Sequence, residues 1–184
     1  FEAASIKCGM RAADGAIEVV KITKDGVTLQ VIGEVEPQGM CGSGLVDAVA
    51  ELAKIGVLDQ SGRFISKEEL EKNFPKLSDR LIDLESTEKA FILHGDKNDP
   101  LVYLTQRDVR ELQFAKASIA TGWRLLMEQL ELKDDDIQQV LLAGSFGSYL
   151  SPASAIQIGL VPKIPVMRIV SAGNVAGEGA KMVL

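Results

Sequence analysis

The chain has 184 residues, 46% hydrophobic and 25% charged, an ordinary composition for a globular protein and enough for one sizeable domain or two small lobes. No run approaches the roughly 18 consecutive apolar residues of a membrane span, and Phe1-Glu2-Ala3-Ala4-Ser5-Ile6-Lys7 is not a basic region followed by an apolar one, as a secretory leader requires. A net charge of −6 without a dense Lys/Arg cluster argues against nucleic acid as a partner.

Cys8 and Cys41 are far apart and share no spacing motif, which suggests a reducing, cytoplasmic setting and not a disulfide framework. His94 is the single histidine, so no His-paired metal or nucleophile cluster is expected. The chain lacks an initiator Met and reads as a fragment of a larger protein.

Residues 1–13 are small and weakly patterned, and are expected to lie across a surface or to follow a missing strand. Arg11 there could neutralise a phosphate, but a surface arginine is the preferred reading. Ile17, Val19, Val20 and Ile22, then Lys24-Asp25-Gly26, then Val27, Leu29, Val31 and Ile32 predict two antiparallel strands joined by an Asp-Gly turn.

Pro37-Gln38-Gly39-Met40-Cys41-Gly42-Ser43-Gly44 leads into a helical pattern, with Ser43 as the expected N-cap and Gly56 as the stop. Free N–H groups at such a start could hold a phosphate. The glycines could equally let the helix approach a sheet, with Cys41 as a small buried hydrophobe. Cys41 has no base in sequence reach that would make it a nucleophile.

Ser66-Lys67-Glu68-Glu69 reads as a capping box that opens a short helix ended by Pro75. Lys76–Glu88 reads as a charged surface excursion. Ala90–Leu93 and Leu101–Leu104, around the turn-rich Gly95–Pro100, predict a second hairpin with a solvated His94 at its rim. Thr105 and Asp108 then cap the longest helix, expected to run to about Leu130. Val109, Leu112, Ala115/Lys116, Ile119, Trp123, Leu126 and Leu130 mark its expected buried stripe. Lys116 lies in or beside that stripe, one turn after Gln113. Residues alone favour a lysine that snorkels to solvent.

Asp134-Asp135-Asp136 reads as an acidic helix start, not a metal site, because neighbours in sequence do not converge on one ion. Val140–Ala143 is an apolar run that ends in Gly144-Ser145-Phe146-Gly147. A strand that delivers the chain into a glycine turn can set bare backbone against a ligand at the carboxyl end of a sheet. The same glycines could serve only to permit packing. Ser151-Pro152 starts a helix that ends near Gly159, Val166–Val170 is a short β-rich run, and Ser171–Ala180 starts a last helix of small residues. The order is α/β, with a mixed sheet flanked by helices.

Five stretches together resemble one family: Phe1–Met10, Cys41–Asp47, Leu104–Gln113, Leu142–Tyr149 and Gly173–Gly177. They look like the carboxyl-terminal part of the reductive activators of corrinoid proteins, ferredoxin-like ATPases of the acetate and sugar kinase, heat-shock-70 and actin superfamily. The resemblance implies that residues 1–184 are the second lobe of an actin-like (ribonuclease H-like) ATPase domain, incomplete at its amino-terminal edge. It implies ATP or ADP with Mg²⁺, an iron–sulfur cluster outside this chain, and electron transfer to the Co(II) corrinoid of a methyl-transferring partner.

On that resemblance Gly144, Ser145, Phe146 and Gly147 would contact adenosine, and Gln113 and Lys116 would flank the adenine. Gly42, Ser43 and Gly44 would face the phosphates or the interlobe connection. The superfamily's two Asp-x-Gly phosphate hairpins are absent, so no catalytic residue or metal ligand is assigned and the fragment alone is expected to be inactive. A sheet short of strands would leave an open edge, so a homodimer is expected. The alternative function is a docking or dimerisation module for the corrinoid protein that binds no nucleotide of its own.

Overall fold

The structure is a computed structural model that describes residues 5–84 and 88–183, without the side chain of Ser145. Phe1–Ala4, from the opening motif, and residues 85–87 of the expected surface excursion lie outside the described residues. The chain divides into two compact units, Phe1–Phe114 and Ala115–Leu184.

In the first unit β1 (Ala16–Thr23) and β2 (Gly26–Val31) form the predicted pair of antiparallel strands, but the turn is Lys24-Asp25 and not Asp-Gly, because Gly26 already pairs with Thr23 as the first residue of β2. β3 (Gly39–Met40) pairs parallel to the other side of β1, giving the order β2-β1-β3. The described part of the opening segment is largely exposed, as expected, but it also pairs with the sheet. The Met40 N–H donates to the Cys8 carbonyl (2.8 Å) and the Met10 N–H to the Met40 carbonyl (3.0 Å), so Cys8–Met10 runs beside β3. Among the described residues of this segment Ile6 alone is apolar and buried, which gives no periodic signal, yet its backbone can still pair.

α1 (Gly42–Ile55) packs on β1, with Leu45, Val46, Val49 and Leu52 buried, and ends at Gly56 in the left-handed region (φ +85). Its N-cap is Cys41, not Ser43. The Ser43 hydroxyl is drawn inward and donates to the Glu18 carbonyl (3.0 Å), so it has no cap to make.

α2 (Lys67–Asn73) starts at the predicted capping box between Ser66 and Glu69. The expected surface excursion is instead a 3-10 turn, Pro75–Arg80, followed by β4 (Leu81–Asp83). Leu70, Phe74, Leu77 and Leu81 are all buried and recur every three or four residues across Pro75. Proline breaks the α-helical reading, but the tighter turn keeps the same face inward. β5 (Lys89–Gly95) and β6 (Pro100–Thr105) form the predicted second hairpin, and the sheet order is β4-β5-β6. His94 at its end is partly exposed, with Nε2 3.2 Å from the Glu36 carboxylate.

α3 (Gln106–Gln129) starts in the first unit, where Val109 and Leu112 are buried. In the second unit its inner line is Lys116, Ala120, Trp123 and Met127, with Ala120 buried and the Trp123 indole N–H donating to the Leu160 carbonyl (3.2 Å). Ile119, Leu126 and Leu130, expected in the buried stripe, are exposed.

A 3-10 turn over the three aspartates, Asp134–Asp136, precedes β7 (Val140–Ala143), α4 (Gly144–Tyr149) and α5 (Pro152–Gln157). β8 (Ile169–Gly173) follows a 3-10 turn over Val166–Arg168 and pairs parallel to β7. The last helix is α6 (Val175–Val183), so Ser171–Gly173 are strand and not the expected helix start. Mixed sheets flanked by helices, as predicted, are the result.

Candidate functional site

The glycine turn of the second unit sits where a parallel strand ends. β7 pairs residue for residue with β8 from Val140–Ile169 to Leu142–Ser171, and the chain then turns at Gly144. Gly144 has φ +88, which only glycine adopts without strain. A Cβ built there would meet nothing within 4 Å. The backbone thus needs glycine for its conformation, yet protein atoms leave the space beside it open.

Gly147 is different. A Cβ there would stand 2.8 Å from the Leu142 carbonyl carbon and 3.0 Å from its oxygen, so this glycine lets α4 lie on β7. The Ser148 hydroxyl donates back to the Gly144 carbonyl (3.1 Å) and Phe146 is half-buried, while the Ser145 side chain lies outside the described residues.

Lys116 lies in the same unit. Its Cε and Nζ stand 3.5 and 3.6 Å from the position a Cβ on Gly159 would take, just past the end of α5. A cation near a helix carboxyl end is favourable.

The other candidates lie in the first unit. Gly42, Ser43 and Gly44 are all buried. The Cys41 N–H donates to the Ile17 carbonyl (3.2 Å), and a Cβ on Gly44 would collide with that same carbonyl oxygen. Packing of α1 on β1 therefore accounts for Gly44.

Gln113 belongs to a comb of side chains on the first turns of α3. The Gln106 amide donates to the Gly62 carbonyl (2.7 Å) and accepts from the Phe64 N–H (3.0 Å). Arg110 donates to the Ser61 carbonyl (2.7 Å), as does Gln113 Nε2 (3.1 Å), while Gln113 Oε1 accepts from Arg110. Arginine only donates and a carbonyl only accepts, which fixes the orientation of the Gln113 amide. The spacing 106, 110, 113 carries this signal in the sequence, but nothing there says that the partner is the turn after α1.

The structure also exposes a role for Asp108 that capping alone does not describe. Its Oδ2 accepts from the Thr105 N–H (2.8 Å), and its own N–H donates to the Thr105 hydroxyl (3.1 Å), which is the predicted cap. Its Oδ1 accepts from the Lys7 N–H (2.9 Å), 101 residues away. One buried carboxylate thus ties the opening segment to the start of α3. Nearby, burial pushes the Cys8 thiol up from its ordinary pKa, as it does the Tyr103 phenol. Cys41 is buried, its thiol within 3.4 Å of the Ile17 carbonyl, and behaves as packing.

Among the described residues no three His, Cys, Asp or Glu side chains group so as to hold a metal ion. No helix of the described residues is long and apolar enough to cross a membrane.

Comparison with known proteins sets these features in a family. The description "C-terminal domain of RACo, the ASKHA domain" matches residues 1–184. The corrinoid activation enzyme RamQ of Eubacterium limosum is 39% identical over 187 residues, covering 100% of this chain and 31% of RamQ. A solved structure of a reductive activator for a corrinoid, iron–sulfur protein superposes with a TM-score of 0.82 at 35% identity, covering 100% of this chain and 28% of that one. The chain spans less than a third of the length of either relative.

Proposed function

The chain belongs to the family of the C-terminal ASKHA domain of RACo, and from that premise we propose that it is the nucleotide-binding part of an ATP-dependent reductive activator of a corrinoid protein. The whole activator would use ATP to drive an electron from an iron–sulfur cluster to the Co(II) corrinoid of a methyl-transferring partner, leaving Co(I). The names of the two relatives support the corrinoid role.

The observation that carries the nucleotide reading is Gly144: a left-handed glycine at the carboxyl end of a parallel strand, with open space where its side chain would be. Gly144, Ser145, Phe146 and Gly147 would receive the adenosine, and Lys116 of the same unit would flank the adenine. Ser43, Gly44 and Gln113 already have partners in the first unit and Gly42 is buried beside them, so these residues are left out of this assignment.

The groups present do not suit an iron–sulfur cluster: the chain has two cysteines, one buried, where such clusters take four thiolates. No residue is assigned to Mg²⁺ either, and no step is routed through either group. We also propose that the protein self-associates. A second reading, a docking module that ignores nucleotide, draws on the exposed Val166 and Met167 between α5 and β8.

Calorimetric titration of Mg·ADP into the intact protein tests the assignment. The wild type should bind and Gly144→Val should not, with native circular dichroism in both. Equal affinity would sink the nucleotide reading. If corrinoid-protein binding also ignored ADP, the docking reading would take its place.

A further inference from the structure

β2 is the outer strand of its sheet. β1 lies on one side, and among the described residues nothing pairs with the other. Exposed edges are usually guarded by charge or proline, because they template pairing with another chain. Gly26-Val27-Thr28-Leu29-Gln30-Val31 has neither. The strand also walls an open groove of 530 Å³ together with Val19, Lys21, Glu34 and Val35, and its Thr28 and Gln30 are exposed.

The hairpin fixes which backbone groups face outward. A two-residue turn makes Thr23 and Gly26 a hydrogen-bonded pair, and such pairs alternate along the ladder. Gly26, Thr28 and Gln30 therefore bond to β1, and the Gly15 N–H donating to the Ile32 carbonyl continues that set. Val27, Leu29 and Val31 point their N–H and C=O groups away from β1.

We propose that a second copy of this chain occupies the edge, with β2 pairing antiparallel to β2 about Leu29. Leu29 then faces Leu29, Val27 faces Val31, and Thr28 faces Gln30. The segment Val-Thr-Leu-Gln-Val has the same apolar and polar order in both directions, as a two-fold interface requires. Every outward group of Val27, Leu29 and Val31 gains a partner in this register. Centring the pair on Thr28 would strand Val31 opposite Asp25. A one-residue slip would set the apolar face of one copy against the polar face of the other. No like charges meet along the strand, and the Lys24 end of one copy comes to the Glu34 end of the other.

This surface rests on the self-association proposed above, and the test separates the two. Sedimentation equilibrium of the intact protein is run on the wild type, on Thr28→Lys/Gln30→Lys and on Thr28→Lys/Gln30→Glu. Both side chains are exposed, but Gln30 Nε2 donates to Glu18 Oε1 (2.9 Å) and Thr28 stands opposite Lys21 within the hairpin, so circular dichroism of both variants checks that the hairpin is kept. The first pair places lysine opposite lysine twice and should raise the dimer dissociation constant by about tenfold. The second places lysine opposite glutamate and should return it to within about threefold of wild type. A dimer indifferent to both pairs overturns the edge and leaves self-association standing. A protein still monomeric at on the order of 100 μM overturns both.

Discussion

Leu45, Leu52, Leu70, Leu77 and Leu81 of the first unit are at most 1% exposed, whereas Leu125, Leu126, Leu130 and Leu141 of the second are 59–67% exposed. α3 shows the same contrast within one helix: Val109 and Leu112 are buried, and Ile119 and Leu126, on the same periodic stripe, are not. The period of a stripe says which face would be buried if an element packed against it. It does not supply that element. Among the described residues the first unit has two three-stranded sheets, one packed on α1 and the other beside the 3-10 turn Pro75–Arg80, while the second has one parallel pair, β7 and β8. Parallel strands are ordinarily covered on both faces. Two glycines show the same contrast, Gly44 of the first unit being pressed against a carbonyl and Gly144 of the second facing open space.

The sharpest way to break this contrast is in the first unit. Gly44→Val drives a side chain into the Ile17 carbonyl and should cost roughly 3 kcal/mol or more in urea denaturation, because backbone cannot yield as a side-chain tip can. A cost near zero would mean that α1 does not sit where it is placed here. Asp108→Ala removes the acceptor shared by Thr105 and Lys7 and should cost about 2 kcal/mol. Faster hydrogen exchange at Lys7 should accompany it, and unchanged exchange there would contradict the tie between the opening segment and α3.

Within the second unit the two turn glycines should separate. Gly147→Ala crowds the Leu142 backbone and should cost about 2 kcal/mol. Gly144→Ala meets no atom and should cost about 1 kcal/mol, from its positive φ alone. The reverse order would remove the distinction between a glycine that packs and one that faces open space. Smallest of all, Leu126→Ala should change stability by less than about 0.5 kcal/mol, since the side chain is already in solvent. A loss of several kcal/mol would show that the intact protein covers this face.

Much of the fold was legible because its signals are local. The Lys24-Asp25 hairpin, the Ser66–Glu69 capping box, the Thr105–Asp108 cap and the Gly56 stop each rest on a few neighbouring residues. What escaped depends on distant partners. Cys8–Met10 pairs with β3, through an isolated bridge at Gly9, only because β3 offers it an edge. Ser43 looks like a cap until the Glu18 carbonyl takes its hydroxyl. Leu77 and Leu81 lie inward through a 3-10 turn that interrupts the helical period.

For the site, the sequence singled out both glycine clusters and could not rank them. The ranking comes from what each missing Cβ would meet. Gln113 was visible as a polar residue flanking an apolar stripe, but its engagement with Ser61 was not, because that turn lies 52 residues away in the chain.

Hydrogen exchange of the intact protein with and without Mg·ADP tests the central division most directly. The account predicts that ADP slows exchange in residues 140–149 and leaves residues 39–50 unchanged. Protection confined to residues 39–50, around Gly42–Gly44, would contradict it.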